Sequence, residues 1–155
     1  MAKKPRLFHR RAQSLPIAML RARERMMVPV REMLQPSGLT EQKYRVLRVL
    51  NELGPMEGTA LANASCLLLP SLTRMLVSME AEGLVHRMRD ERDGRKSIVA
   101  VAEGGDALIK AHSKACTAIF DDFERRFGAE RVEDLLDLLE DIALLELPDE
   151  TCPRD

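Results

Sequence analysis

The sequence predicts a mainly α-helical fold that carries one small β-hairpin. Apolar residues recur at helical spacing over most of the 155 residues, and glycine and proline breakers cut that pattern into successive segments. Only between residues 85 and 102 does it give way to two short runs suited to strands, set around a glycine turn.

The elements follow in order. Residues 14–34, "SLPIAMLRARERMMVPVREML", place Ile17, Leu20, Met27 and Val30 among arginines, with Pro16 where a first turn tolerates it. This is a long helix, with a bend expected at Pro29. "PSG" at 36–38 is a breaker, and Thr40 is an N-cap for "EQKYRVLRVLNEL", whose Leu47, Leu50 and Leu53 recur at helical spacing before "GP" stops it. "EGTALANAS" is a short third helix. In "LPSLTRMLVSMEAEGL" the core stripe is Leu72, Met75, Leu76 and Met79, and Gly83 stands as a C′ stop. The opposite face of that fourth helix carries Pro70, Ser71, Thr73, Arg74 and Ser78.

"VHRMRD" and "KSIVAVA" are the two strands, joined by "ERDGR" with its turn at Gly94. "EGGD" at 103–106 is too short for a phosphate cradle and reads as a separator before the fifth helix, "GDALIKAHSKACTAIFDDFERRF". The last helix, "AERVEDLLDLLEDIALLEL", aligns Val132, Leu135, Leu136, Leu139, Ile142 and Ala143 in a stripe broad enough to need a partner surface. The chain is expected to be one domain over 1–155, with a central lobe at 38–102 flanked by helical segments at 13–35 and 103–148.

The net charge of −1 conceals an asymmetry. Residues 1–11 hold five bases and no acid, whereas residues 121–150 hold twelve acids and three bases. A phosphate backbone responds to the local patch rather than to the sum. No apolar run approaches the ~20 residues that span a bilayer, so no membrane partner and a cytoplasmic location are expected. Cys66, Cys116 and Cys152 form no CxxC pair, and reduced thiols are the default. His9, His86 and His112 are too scattered for a metal site, no cofactor motif is present, and no nucleophile-base constellation marks an enzyme.

Helix, short helix, tight turn, helix and charged hairpin make the plan of a winged helix-turn-helix. The fourth helix would then enter a major groove, where Ser71 and Thr73 bond phosphate or base edges and Arg74 pairs with guanine. The hairpin tip, with Arg92, Arg95 and Lys96, reaches the neighbouring backbone or minor groove, and Asp90 or Asp93 holds an arginine in place. The surplus helices at both ends suit a homodimer that matches a palindromic operator in double-stranded DNA. A protein-binding winged helix that never touches DNA is the alternative.

The whole chain resembles the MarR family of winged-helix regulators. Its hairpin motif D-x-R-D-x-R stands here as Asp90, Arg92, Asp93 and Arg95. Within that family, "LRARE" at 20–24, "LTEQKYRVLRVL" at 39–50 and "LLLPSLTRMLVSMEAEGLV" at 67–85 resemble regulators of homoprotocatechuate-degradation operons. Tyr44 stands where that pattern has tryptophan, and Leu69 where it usually has arginine. The resemblance implies a dimeric repressor of an aromatic-catabolism operon, released from DNA by a small aromatic or organic acid.

Such an acid needs a fixed cation. Arg23, inside the family-like block, is the first choice, with Arg21, Arg45 and His9 as further candidates. A redox sensor built on Cys66 is the other alternative, since peroxide-sensing members of the family use a reactive cysteine; a packed, inert thiol is the expected state of Cys66.

Overall fold

The computed structural model describes residues 15–89 and 97–145. Helix α1, Leu15–Leu34, runs through Pro29 as one helix and buries Val30 and Leu34. The breaker after it is a 3-10 turn, Gln35–Ser37, closed by Gly38 in the left-handed region at φ 67°. Thr40 caps α2, Glu41–Leu53, as its residue type predicts: the side-chain oxygen accepts the N–H of Lys43 at 3.3 Å. Tyr44, Val46, Leu47 and Leu50 form the inward face of α2, whereas Leu53 is exposed.

A two-residue strand, β1 at Met56–Glu57, follows, and the sequence gives no sign of it because two residues cannot show a period. It pairs antiparallel with β3, Ser97–Val101, which also pairs with β2, Val85–Arg89. The expected hairpin is therefore part of a three-stranded sheet in the order β1-β3-β2. Val85 faces Val101 and Arg89 faces Ser97 at the two ends of the β2-β3 ladder. The Gly94 turn lies outside the described residues.

Helix α3, Gly58–Ala64, and helix α4, Leu69–Ala81, are separated by Ser65–Leu68, and the chain turns through 107° between them. That angle is the one a helix-turn-helix requires. Both helices end in the same hydrogen-bond pattern. At α4 the N–H of Leu84 reaches the Met79 carbonyl at 2.8 Å, and that of Gly83, at φ 69°, reaches Glu80 at 3.0 Å. At α3, Leu67 reaches Ala62 at 2.9 Å and Cys66 reaches Asn63 at 3.1 Å. Cys66 thus holds the left-handed position, φ 51°, that glycine usually fills.

Helix α5 spans Glu103–Phe127. "EGGD" is its first turn rather than a separator, and close packing is the reason. A Cβ on Gly104 would stand 2.7 Å from the Gly83 carbonyl oxygen, and one on Gly105 would overlap the Leu84 carbonyl oxygen. Only glycines let α5 start against the α4-β2 turn.

The core of the lobe is Leu47, Leu61, Leu72, Met79, Val85 and Val99, each almost wholly buried, with Ile109 and Cys116 of α5 beside them. Full burial of a side chain of this size contributes about 1.5–3 kcal/mol.

The chain divides into two units, residues 1–117 and 118–155. In the second, Phe123 and Phe127 stack at 5.5 Å, and the Arg131 guanidinium lies 4.1 Å above the Phe127 ring. Helix α6, Ala129–Leu144, buries no residue, and Leu135, Leu136, Leu138, Ile142 and Leu144 are exposed. No single helix among the described residues is long and apolar enough to cross a membrane.

Candidate nucleic-acid interface

Helix α4 sorts its residues as the periodicity predicts. Leu72, Leu76 and Met79 are buried and Met75 is half-buried, while Pro70, Ser71, Thr73 and Arg74 lie on the exposed side. Two of the polar candidates have partners within the protein. The Thr73 hydroxyl donates to the Leu69 carbonyl at 2.8 Å, one turn back along its own helix.

Ser78 is held in a three-residue cluster. Its hydroxyl donates to Glu82, and the Lys43 ammonium of α2 reaches Ser78 at 3.0 Å and both Glu82 oxygens at 2.6 and 2.7 Å. Hydrogen bonds from Lys43 and then Ser78 hold the Glu82 carboxyl below the usual carboxylate range. Ser78 therefore ties α4 to the start of α2. Arg87 of β2 pairs with Glu80 of α4 at 3.3 Å, so the sheet is anchored to the same helix.

The hairpin candidates Arg92, Asp93, Arg95 and Lys96, with Asp90, lie outside the described residues, as does His9. Cys66 is exposed rather than packed. Its left-handed turn position sets the side chain on the outside of the α3-α4 corner. Among the described residues no three His, Cys, Asp or Glu side chains gather to hold a metal ion.

Two of the three candidate arginines, Arg23 and Arg45, gather with Arg31 around one carboxylate. Glu41, at the first position of α2, takes Arg23 and Arg31 from α1 and Arg45 from α2, the last two at 3.1 and 3.4 Å. Arg31 also meets Glu24 at 2.8 Å, and that hydrogen bond is the main reason its pKa is raised. Arg45 donates in addition to the carbonyl of Ser65 at 3.0 Å, at the end of α3. Arg23 and Arg45 thus fasten α1 and the α3-α4 corner to α2. Arg21 lines a shallow depression on α1 with Leu20, Glu24, Arg25 and Val28.

A second polar group, invisible to sequence reasoning, lies between α2 and α5. The Tyr44 ring meets the His112 ring edge-on at 6.0 Å, and His112 Nε2 is 3.0 Å from the Ser37 hydroxyl. Arg48 pairs with Glu52 and points one guanidinium nitrogen at Cys116 Sγ, 3.6 Å away. The Tyr44 hydroxyl is buried close to Arg48 and Cys116 but makes no hydrogen bond of good geometry. Burial first, and the neighbouring Cys116 second, push its pKa up. Its proton is therefore available to an acceptor throughout the neutral range. Ser37 and His112 are too far apart in sequence for spacing to reveal their contact.

Residues 39–97 match the family model described as MarR family. Over 143 residues the chain is 38% identical to the homoprotocatechuate degradative operon repressor of Escherichia coli, covering 92% of this chain and 97% of that protein. The chain belongs to the MarR family. Two MarR-like solved structures bear on the site. NadR in complex with 4-hydroxyphenylacetate is 30% identical with a TM-score of 0.78, covering 94% of this chain and all of that one. CouR bound to a 23-mer DNA duplex is 26% identical with a TM-score of 0.71, covering 88% and 99% of the two chains. As a MarR-family protein, the chain is a DNA-binding transcriptional regulator and not an enzyme.

Proposed function

We propose that this regulator is a homodimeric repressor of an operon for aromatic-acid breakdown, released from its operator by a small aromatic acid. The similarity to the homoprotocatechuate degradative operon repressor and to NadR, crystallised with 4-hydroxyphenylacetate, supports the choice of ligand class. Leu15, Ile17, Leu20 and Val28 of α1, and the exposed leucines of α6, are apolar surface that a second copy would cover. DNA partnership and unpaired thiols at Cys66 and Cys116 support a cytoplasmic location.

The observation that carries the ligand assignment is the buried hydroxyl of Tyr44, which makes no hydrogen bond of good geometry although Arg48 and Cys116 stand close to it. A buried donor without an acceptor is costly, and a ligand oxygen would satisfy it. Arg48, with its side chain 41% exposed, can exchange Glu52 for the carboxylate of an incoming acid. Arg23 and Arg45, already paired with Glu41, then serve to couple α1 to the DNA-binding lobe rather than to hold the acid. Ser71, Arg74 and the wing residues Arg92, Arg95 and Lys96, with Asp93 as their brace, contact the operator in this reading. Pro70 borders that surface, Thr73 lies on it with its hydroxyl proton given to the Leu69 carbonyl, and Ser78 acts through Lys43 and Glu82.

Release is a population shift. An acid wedged between α2 and α5 favours one setting of α2, and through Glu41 and Lys43 one placement of α4. It moves the equilibrium only by its differential affinity for the two states. The test titrates 4-hydroxyphenylacetate and homoprotocatechuate into protein bound to a fluorescent operator duplex, alongside thermal melting. Release of DNA together with a raised melting temperature is expected. If no small aromatic acid does either, the effector reading is wrong.

A further inference from the structure

Helix α4 is apolar on two sides. Beyond the buried stripe of Leu72, Leu76 and Met79, apolar surface continues along one flank, from Leu69 at the edge of the stripe, 43% exposed, to Val77 nearer the outer side, 59% exposed, with exposed Thr73 midway between them. These three stand at i, i+4 and i+8, so they form one line that drifts about 40° per step and extends roughly 12 Å along the helix. Thr73 belongs to that line as a methyl group more than as a hydroxyl. Its hydroxyl proton is already given to the Leu69 carbonyl at 2.8 Å, so it has no donor left for a purine N7 or O6.

We propose that Leu69, Thr73 and Val77 form a strip that reads thymine methyl groups, so that the operator half-site places A·T pairs beneath the outer face of α4. The inference rests on the reading of α4 as the groove-entering helix and names what that helix selects. Among base edges in the major groove, the thymine C5-methyl is the group that apolar side chains contact favourably. A line of ~12 Å spans about three to four base-pair rises of ~3.4 Å, enough to meet more than one such methyl. The strip adjoins Arg74, three residues before Val77, and Arg74 with Ser71 farther round the exposed face supplies the polar contacts that the strip lacks. Sequence preference in this protein is thus split between one guanidinium and a row of carbon.

The test uses the full chain and a palindromic duplex selected from a randomised pool. Each thymine of the half-site is replaced singly by deoxyuridine, which removes the methyl and leaves every hydrogen-bonding group in place. Affinity is expected to fall about threefold to fivefold at two or more positions per half-site, the effect of losing one buried methyl. In Val77→Ala and Leu69→Ala, both exposed changes that leave the core intact, sensitivity at the corresponding position should disappear. Specific binding that tolerates deoxyuridine everywhere would overturn the proposal while leaving α4 as the DNA-contacting helix. Failure to bind any duplex would overturn both.

Discussion

Gly105 packs so close to Leu84 that a Cβ on it would overlap the Leu84 carbonyl oxygen, leaving no room for a side chain. A Cβ there would also stand 2.9 Å from Cδ2 of fully buried Leu47 and 3.0 Å from Cγ1 of half-buried Val101. Helix propensity favours Gly105→Ala by about 1 kcal/mol, but backbone overlap outweighs it. The variant should lose about 1–3 kcal/mol, the usual cost of overpacking. Urea denaturation measures this as a lower midpoint at unchanged slope; a midpoint equal to or above wild type would show that the helix start can shift.

The same glycine marks where sequence reading stops. Periodicity, the Thr40 cap and the Gly83 stop were legible because each is local: a hydroxyl three residues before a backbone N–H, or a left-handed turn after a stripe. That Gly104 and Gly105 belong inside a helix depends on carbonyls about twenty residues earlier, which no local pattern encodes. Likewise Ser71 and Arg74 were readable as outward, but the Thr73 and Ser78 hydroxyls were not readable as internally bonded. The hub role of Glu41 was missed because its arginines come from two helices.

The Lys43-Glu82 pair predicts a pH dependence of stability. Glu82 has a folded pKa below its ordinary value of 4.5, so its contribution is complete above that value and is lost as pH falls through the lower folded pKa. Glu82→Gln lacks this contribution at every pH. Wild type should therefore be the more stable near pH 6, and the two should converge as pH drops below about 4.5. Glu82 is half exposed, so the difference should stay under about 1 kcal/mol. Parallel thermal melts from pH 6 to pH 3 check it; a constant gap would remove the carboxylate's charge from the account.

Under the proposed operator contacts, Arg74 and Arg95 should fail differently. Arg74→Ala, on the outer face of α4, should cost about 1–3 kcal/mol on the preferred operator and little on unrelated duplexes. Arg95→Ala should weaken binding to all duplexes and reduce the slope of log affinity against log salt by about one unit. Anisotropy titrations at several salt concentrations separate them. Unchanged operator affinity in Arg95→Ala would remove Arg95 from the proposed phosphate contacts.

Tyr44→Phe separates an effector contact from a structural flaw. Removing a buried hydroxyl that makes no hydrogen bond of good geometry, while keeping the ring against His112, should leave the free protein as stable as wild type or more so, by up to about 1 kcal/mol. If that hydroxyl is the donor to a bound aromatic acid, the same change should weaken the acid by about fivefold to tenfold, the worth of one hydrogen bond. Arg48→Ala should weaken it further, whereas Arg23→Ala should leave acid affinity near wild type and alter how far binding shifts the operator equilibrium. Calorimetric titration of 4-hydroxyphenylacetate gives the affinities, and operator release gives the coupling. A stabilised Tyr44→Phe protein with unchanged acid affinity would make the hydroxyl a packing defect and move the effector elsewhere. Loss of acid affinity in Arg23→Ala would return the carboxylate to the Glu41 cluster.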